Sequence, residues 1–421
     1  MASVMSALRP LAIPLLALAV PLGFAVWAFP EGLSGIRTAA IVAGWLGCGL
    51  LLVSLLLMLR EPRLAAWLGG LERMYLWHHR TGVVAYMLLL AHPLLLAANA
   101  FADSPARAWE TLAPAAESWP VWSGWLALVL LMLGLALTFM RRLPYRAWRW
   151  LHAALGAAVL IGLYHLILLG IDEPVAPILT VAALILGWRA VRGDWGLAAR
   201  PYVVASAHRV AEGVVEIALR PLGDPLVVAP GQFILTAFFK GPDFRGCGEF
   251  HPFTVSAVEP DDVLRIGVKA LGDCTRRIQS IGPGVAARVL GGFGSFLAEP
   301  HATRQFWFAG GIGVTPFLGL LRNGGLIAPT TLLYLYHTED DAAFLPELRA
   351  IAAATPLLTL QAVATARGRP DLDRLLPDAP HLIGCECYLC GPPSLVARLK
   401  RILRQRGVTP RHIHFENFDL R

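Results

Sequence analysis

Residues 77–93 read WHHRTGVVAYMLLLAHP, with His78 and His79 at one end of an apolar run and His92 at the other. Residues 152–165, HAALGAAVLIGLYH, repeat the plan with His152 and His165. The chain has twelve histidines, and these five are the only ones in its first 200 residues. An ionisable side chain at membrane depth is costly unless something uses it, so such residues are functional candidates by default. Imidazoles paired on two helices suit haem iron. The alternative is hydrogen bonding between helices.

Spacing decides which rings pair. Fourteen residues separate His78 from His92, which on a helix returns to within about 40° of the same face after about 20 Å of rise. His79 lies thirteen residues from His92, leaving the two about 140° apart, so His78 is the better ligand. His152 and His165 are also thirteen apart and meet the same objection, with Gly156 and Gly162 as places for a local bend. Both segments run from inside to outside. His78 and His152 therefore share the inner level, His92 and His165 the outer.

Composition separates two halves. With 421 residues, 56% of them hydrophobic, and a mean hydropathy of +0.58, the chain is too apolar for a soluble enzyme. Apolar segments at 11–29, 38–59, 81–101, 121–140, 150–170 and about 174–188 approach the length that crosses a bilayer. The first lacks a charged leader and a small-residue cleavage site, so it reads as a helix and not as a signal peptide. Arg60, Arg63 and Arg73, then Arg141, Arg142, Arg146 and Arg149, then Arg189 and Arg192 mark the cytoplasmic faces. The alternate loops carry only Arg37 and Arg107 against six acidic residues. Both termini are expected in the cytoplasm, with the chain in a bacterial-type inner membrane. The asymmetry accounts for the net charge of +7, and no basic-aromatic run points to nucleic acid.

Five of the six cysteines fall in the part assigned to the cytoplasm, where disulfides rarely persist, so free thiols are expected. Cys385, Cys387 and Cys390 form a Cys-x-Cys-x-x-Cys group. Zinc wants four tetrahedral ligands and no second pair stands nearby, which favours strand and loop cysteines.

A linker at 189–201 leads into a different pattern. Short β-rich runs, YVVASAHRV, GVVEIALRP, GQFILTAFF and VLRIGVKA, predict an antiparallel barrel up to about residue 299. From 304 onward strands alternate with helices, from FWFAGG and TPFLGLLR to YLCGPP and SLVARLKRIL, as in a parallel α/β sheet. The expected fold is a six-helix membrane bundle over 1–195, a barrel over 200–299 and an α/β domain over 300–421.

Five motifs stand in order in this half: HPFTVS at 251–256, GVKALGDCT at 267–275, GGFGSF at 291–296, GGIGVTP at 310–316 and CGP at 390–392. With the six segments and the paired histidines, they resemble the NADPH oxidase and ferric reductase superfamily over nearly the whole chain. The resemblance implies FAD held by His251, Pro252, Phe253, Thr254, Val268, Lys269, Thr275, Gly292 and Gly294. It implies NADPH or NADH held by Gly310, Gly311, Gly313, Thr315, Pro316, His337, Cys390, Gly391 and Pro392. It also implies two haems of b type, on His78, His92, His152 and His165. Thr254, Cys390 and the terminal aromatic Phe418 take the catalytic positions, and Cys274 stands where some relatives carry a bulky aromatic.

The residue chemistry agrees with these roles. An aromatic ring such as Phe253 can stack on a flavin while the Thr254 hydroxyl reaches its polar edge, and Lys269 and Thr275 can meet phosphate oxygens. Gly310, Gly311 and Gly313 precede a helix whose N-terminus suits a pyrophosphate, although they do not spell G-x-G-x-x-G. The expected function is transfer of electrons from NAD(P)H through FAD and the haems to an outer-face acceptor. Dioxygen, giving superoxide, comes first and a ferric chelate second, with a periplasmic redox partner as a third destination. A six-span transporter with a regulatory nucleotide-binding domain is the alternative from another class, but it would show internal repeats, and none is visible.

Overall fold

The computed structural model describes residues 2–113, 118–138, 145–297, 303–366, 368 and 371–416. Contacts divide the chain into Met1–Trp195 and Gly196–Arg421. The first unit is helical: α1 (Ala2–Trp27), α2 (Gly35–Leu56), α3 (Pro62–Leu68), α4 (Leu71–Phe101), α5 (Pro105–Leu112), α6 (Trp119–Thr138), α7 (Tyr145–Leu168) and α8 (Asp172–Trp188). Among the described residues five helices are long and apolar enough to cross a membrane, and a shorter apolar stretch, Leu11–Trp27, precedes them. Helices α2 and α4 pack along each other, as do α6 and α7. The third apolar segment starts ten residues earlier than its hydropathy suggests. Leu71–Arg80 is too polar to register as membrane-like, yet it continues the same helix and carries His78 within it.

The second unit holds two sheets. Strands β1 (Arg200–Ala211), β2 (Val214–Pro221), β3 (Phe233–Phe238), β4 (His251–Val258), β5 (Leu264–Lys269) and β6 (Ala286–Phe293) close a barrel in the order β1-β2-β5-β4-β3-β6. Every pairing is antiparallel. The inward residues follow the two-residue period of a strand: Val215, Ile217 and Leu219 from β2 and Phe253 and Val255 from β4 enter one core. The short helix α9 (Asp273–Ile278) follows β5.

Strands β7 (Gln305–Gly310), β8 (Thr330–Tyr336), β9 (Leu358–Ala364), β10 (Glu386–Cys390) and β11 (Ile413–Glu416) form a parallel sheet in the order β11-β10-β7-β8-β9. Helices α10 (Thr315–Arg322), α11 (Leu345–Ala354), the single turns α12 (Leu372–Leu375) and α13 (Ala379–Leu382), and α14 (Pro393–Gln405) make the connections. Strand β11 escapes a sequence reading because four residues carry no period. Its place at the edge is held from the side: His412 Nδ1 and His414 Nε2 each lie 2.7 Å from a Glu386 carboxylate oxygen.

An ionic network ties the barrel to the parallel sheet. Glu216 on β2 is buried and accepts hydrogen bonds from Arg322 of α10 at 2.6 Å, from Arg265 of β5 at 3.0 Å and from Ser256 of β4 at 3.0 Å. Arg322 also forks onto Glu347 of α11 at 2.7 and 2.8 Å. Burial pushes the Glu216 carboxyl up, but the hydrogen bond and charge of Arg322, with Arg265 and Ser256, outweigh it and hold the group below the usual carboxylate range. The network therefore stabilises the fold at neutral pH and loses that effect as pH falls through the depressed value. Replacing Glu216 by Ala would leave Arg322 with one of its two carboxylates and cost about 3–5 kcal/mol, the range for breaking a buried pair. Amide hydrogen exchange in β2 and β4 should accelerate accordingly. Unchanged exchange in both strands would show that the network does not hold them.

Candidate functional site

The four membrane histidines share one arrangement. His78 Nδ1 lies 3.0 Å from the Ser54 carbonyl and 2.7 Å from the Ser54 hydroxyl, which joins α4 to α2. His92 Nδ1 lies 2.8 Å from the Ala40 carbonyl, again on α2. His165 Nδ1 lies 2.5 Å from the Pro120 carbonyl at the start of α6. His152 is held more loosely, with Nδ1 3.5 Å from the Thr138 hydroxyl and its ring stacked on Trp148 at 5.3 Å. A carbonyl can only accept, so Nδ1 of His78, His92 and His165 carries the proton and donates. That leaves a lone pair on Nε2, the form in which imidazole binds a metal.

Two cavities meet these rings. One of about 230 Å³ is lined by His78, His152, Ser54, Thr138 and Arg189. The other, about 440 Å³, is lined by His92, His165, Gly124, Thr111 and Arg37. Leu51 and Leu131 line both and so stand between them. The His78 and His152 rings are 5.8 Å apart. Each cavity is otherwise mainly apolar with one arginine, a chemistry that fits a flat apolar macrocycle bearing carboxylates. Packing is close at the second cavity: a Cβ on Gly124 would stand 2.8 Å from the His165 ring.

His152 and His165, thirteen residues apart, border separate cavities. Helix α7 is α-helical from His152 to His165, without a bulge. The two rings serve different cavities between different neighbours, Leu186 of α8 beside the inner one and Val121 of α6 beside the outer one, so they need not share a face. His79 also borders the inner cavity but is exposed.

In the second unit several motif residues serve the fold. Phe253 is buried in the barrel core with Phe238, so its ring has no face to offer a flavin, a correction to the stacking expected of it. Alternation puts Thr254 on the opposite face of β4 from Phe253, where it too is buried. Val268 is likewise a core residue whose carbonyl accepts from Gln279. The Thr275 hydroxyl accepts from the Leu271 and Gly272 amides at 2.9 and 2.8 Å and donates to the Gly272 carbonyl. That hydroxyl caps α9 and is not free for phosphate. His251 and Pro252 are half-buried at the start of β4, and Gly292 and Gly294 flank Gln232, whose side-chain amide donates to the Gly294 carbonyl at 2.9 Å.

The nucleotide motifs do converge. Strand β7 ends at Gly310, a short 3-10 turn covers Gly311–Val314, and α10 begins at Thr315 with Pro316 in its first turn. The Thr315 hydroxyl donates to the Ile312 carbonyl at 2.9 Å, so it shapes the turn. A Cβ on Gly313 would lie 2.5 Å from the Cys390 carbonyl oxygen, and one on Gly310 would lie 2.9 Å from Pro392. The ends of β7 and β10, with Gly391, therefore touch backbone to backbone. Lys269 brings its ammonium within 3.7 Å of where a Gly311 Cβ would stand, so one cation from the barrel reaches the turn. His337 is exposed just past β8, and the Cys390 thiol is fully buried. Phe418 lies outside the described residues.

Cysteine behaviour departs from expectation once. Cys247 and Cys274 form a disulfide, with Cα atoms 5.6 Å apart. Cys385, Cys387 and Cys390 take no part in a disulfide, and Cys387 and Cys390 enter different cores on opposite sides of the sheet, so they do not converge. Burial pushes the Cys387 thiol up to about 12. The helix-to-helix anchors Ser54, Thr138, Ala40 and Pro120 were not visible in the sequence. Three of them act through main-chain carbonyls, which leave no residue-type signal.

The two units define a class: a multi-pass membrane protein with paired histidines, followed by a barrel and a nucleotide-type α/β domain. Residues 43–163 match the ferric reductase like transmembrane component and residues 201–285 match the FAD-binding domain. The chain has the architecture of the NADPH oxidase and ferric reductase superfamily. It is 28% identical over 211 residues to the ferredoxin–NAD(P)(+) reductase component of naphthalene 1,2-dioxygenase/salicylate 5-hydroxylase systems from a Ralstonia species, covering 47% of this chain and 62% of that one. It is 26% identical over 250 residues to a flavohemoprotein from a Burkholderia species, covering 55% and 60%. The chain thus spans about three fifths of the length of these two curated relatives. The crystal structure of a flavohemoglobin from Malassezia yamatoensis aligns over 99% of this chain and 98% of that chain, at 15% identity and a TM-score of 0.48.

The contact at Gly313 yields a direct test. Gly313→Ala would force β7 and β10 apart at the nucleotide end and weaken NAD(P)H binding by about tenfold, equivalent to about 1.4 kcal/mol. Stopped-flow flavin reduction against nicotinamide concentration measures it. An unchanged half-saturation would separate this turn from cofactor binding.

Proposed function

We propose that this protein carries single electrons across a bilayer, from cytoplasmic NADPH or NADH through FAD and two bis-histidine haems to a small acceptor on the outer side, dioxygen first. When bound, these groups supply a hydride donor, a two-to-one electron converter and one-electron carriers. The protein's own residues do the holding. The observation that carries the reading is the facing pairs of imidazoles, His78 with His152 and His92 with His165, each pair bordering one cavity. Carbonyls from α2 and α6 fix the tautomer of three of them, and Trp148 steadies the fourth. Arg189 and Arg37 each bring a positive charge to one cavity, suited to a carboxylate. In the second unit Lys269 and the Gly310–Gly313 turn hold the anionic part of the nicotinamide dinucleotide, with Pro316 at the helix start behind them.

With both imidazoles of a pair holding the iron, an acceptor would find no open position on the metal and would take its electron at the edge of the group. The larger outer cavity leaves more room there for a molecule as small as dioxygen. A ferric chelate is the second reading, favoured by the match of residues 43–163 to the ferric reductase like component.

Alanine at either member of one pair should remove one of two haems, halving the pigment in a reduced-minus-oxidised spectrum and abolishing transfer to the outer acceptor. Undiminished pigment in any of the four variants removes that residue from the ligand set, and in all four it removes the proposal. With NADPH supplied to the intact protein, dye reduction that superoxide dismutase suppresses should exceed reduction of a ferric chelate. The reverse order would assign the chelate as the acceptor.

A further inference from the structure

Near the start of β4 lies a group of four donors, three of them buried and His251 half-buried. Cys247, Glu249 and His251 follow one another at every second residue, and Cys274 arrives from α9. Cys247 Sγ is 3.4 Å from His251 Nε2, Glu249 Oε2 is 3.7 Å from that nitrogen, and Cys274 Sγ is 3.8 Å from Glu249 Oε2. All four donor atoms lie within 4.8 Å of one another. Arg277 borders the group, its guanidinium 3.8 Å from Cys274 Sγ.

The disulfide shares its pocket with the Glu249 carboxylate, which is only 6% exposed, and with the His251 imidazole, whose Nε2 lies 3.7 Å from that carboxylate. Both are groups that ligate zinc. Two thiolates, an imidazole and a carboxylate are groups that bind zinc, and four is the number its tetrahedral coordination takes.

We propose that the reduced Cys247–Cys274 pair, with Glu249 and His251, binds one zinc(II) ion that fastens the 247–251 segment to α9. The disulfide and the metal site are alternative states of the same two sulfurs. A dithiol reductant delivers two electrons and two protons to the disulfide, giving two thiols and becoming a cyclic disulfide itself. Zinc(II) then takes the place of the two thiol protons, which leave to solvent. Metal binding at His251 and Cys274 fixes the strand that carries Thr254 and the helix that follows Lys269.

The test uses full-length protein in detergent, reduced with dithiothreitol, freed of excess reductant, exposed to zinc(II) and desalted. Elemental analysis should find one zinc per chain, and X-ray absorption at the zinc edge should show two sulfurs at about 2.3 Å and two lighter atoms at about 2.0–2.2 Å. The unreduced protein and the Cys247→Ser/Cys274→Ser variant should bind none. The absorption spectrum needs no variant, so misfolding cannot mask the answer. Absence of zinc from reduced wild-type protein, a zinc edge without sulfur neighbours, or zinc retained by the double variant would each overturn the proposal. None of these readouts depends on haem or on NAD(P)H oxidation.

Discussion

An imidazole inside a helical bundle has two nitrogens to satisfy, and here the fold satisfies one and leaves the other. The Nδ1 atoms of His78, His92 and His165 are taken by main-chain carbonyls of neighbouring helices, and that of His152 approaches a threonine hydroxyl. The carbonyls fix the tautomer of those three without introducing another charge into a low-dielectric region, where a carboxylate partner would be costly. It also dictates packing, because α2 must run beside α4 and α6 beside α7 for the carbonyls to be in reach. The same contacts that hold the bundle together therefore orient the imidazoles that border its two cavities.

In the second unit the corresponding constraint is the placement of α10. Its first turn continues from Gly310–Val314 and faces the end of β10, while its last residue, Arg322, is clamped between Glu216 of the barrel and Glu347 of α11. One short helix thus connects the nucleotide turn at one end to the barrel at the other. Because Ser256 on β4 shares Glu216 with Arg322, the strand bearing the flavin motif is tied to the same point. Displacement of the helix would strain both sites together.

Motif residues divide between ligand and scaffold according to strand geometry. Phe253 and Thr254 are neighbours in sequence and face opposite sides of β4, so only one of them can serve the barrel core. The core takes the phenyl ring, since an apolar side chain gains about 1.5–3 kcal/mol by leaving water. Thr275 illustrates the same competition on a smaller scale. A hydroxyl three residues into a helix start has two amides in reach, and it caps them.

Legible from the residues alone were the apolar membrane half, the spacing of its histidines and the alternation of strand and helix beyond residue 304. These are written in period and composition, which local physics reads directly: apolar runs of bilayer length and alternating core residues. Folding alone set which nitrogen of His78, His92 and His165 meets a carbonyl, that His152 and His165 border two different cavities, and that Cys247 meets Cys274. It also decided that Glu216 and Arg322, 106 residues apart, share one buried contact. These depend on groups brought together across long stretches of chain, often through backbone carbonyls that every residue possesses, and so no residue type announces them in advance.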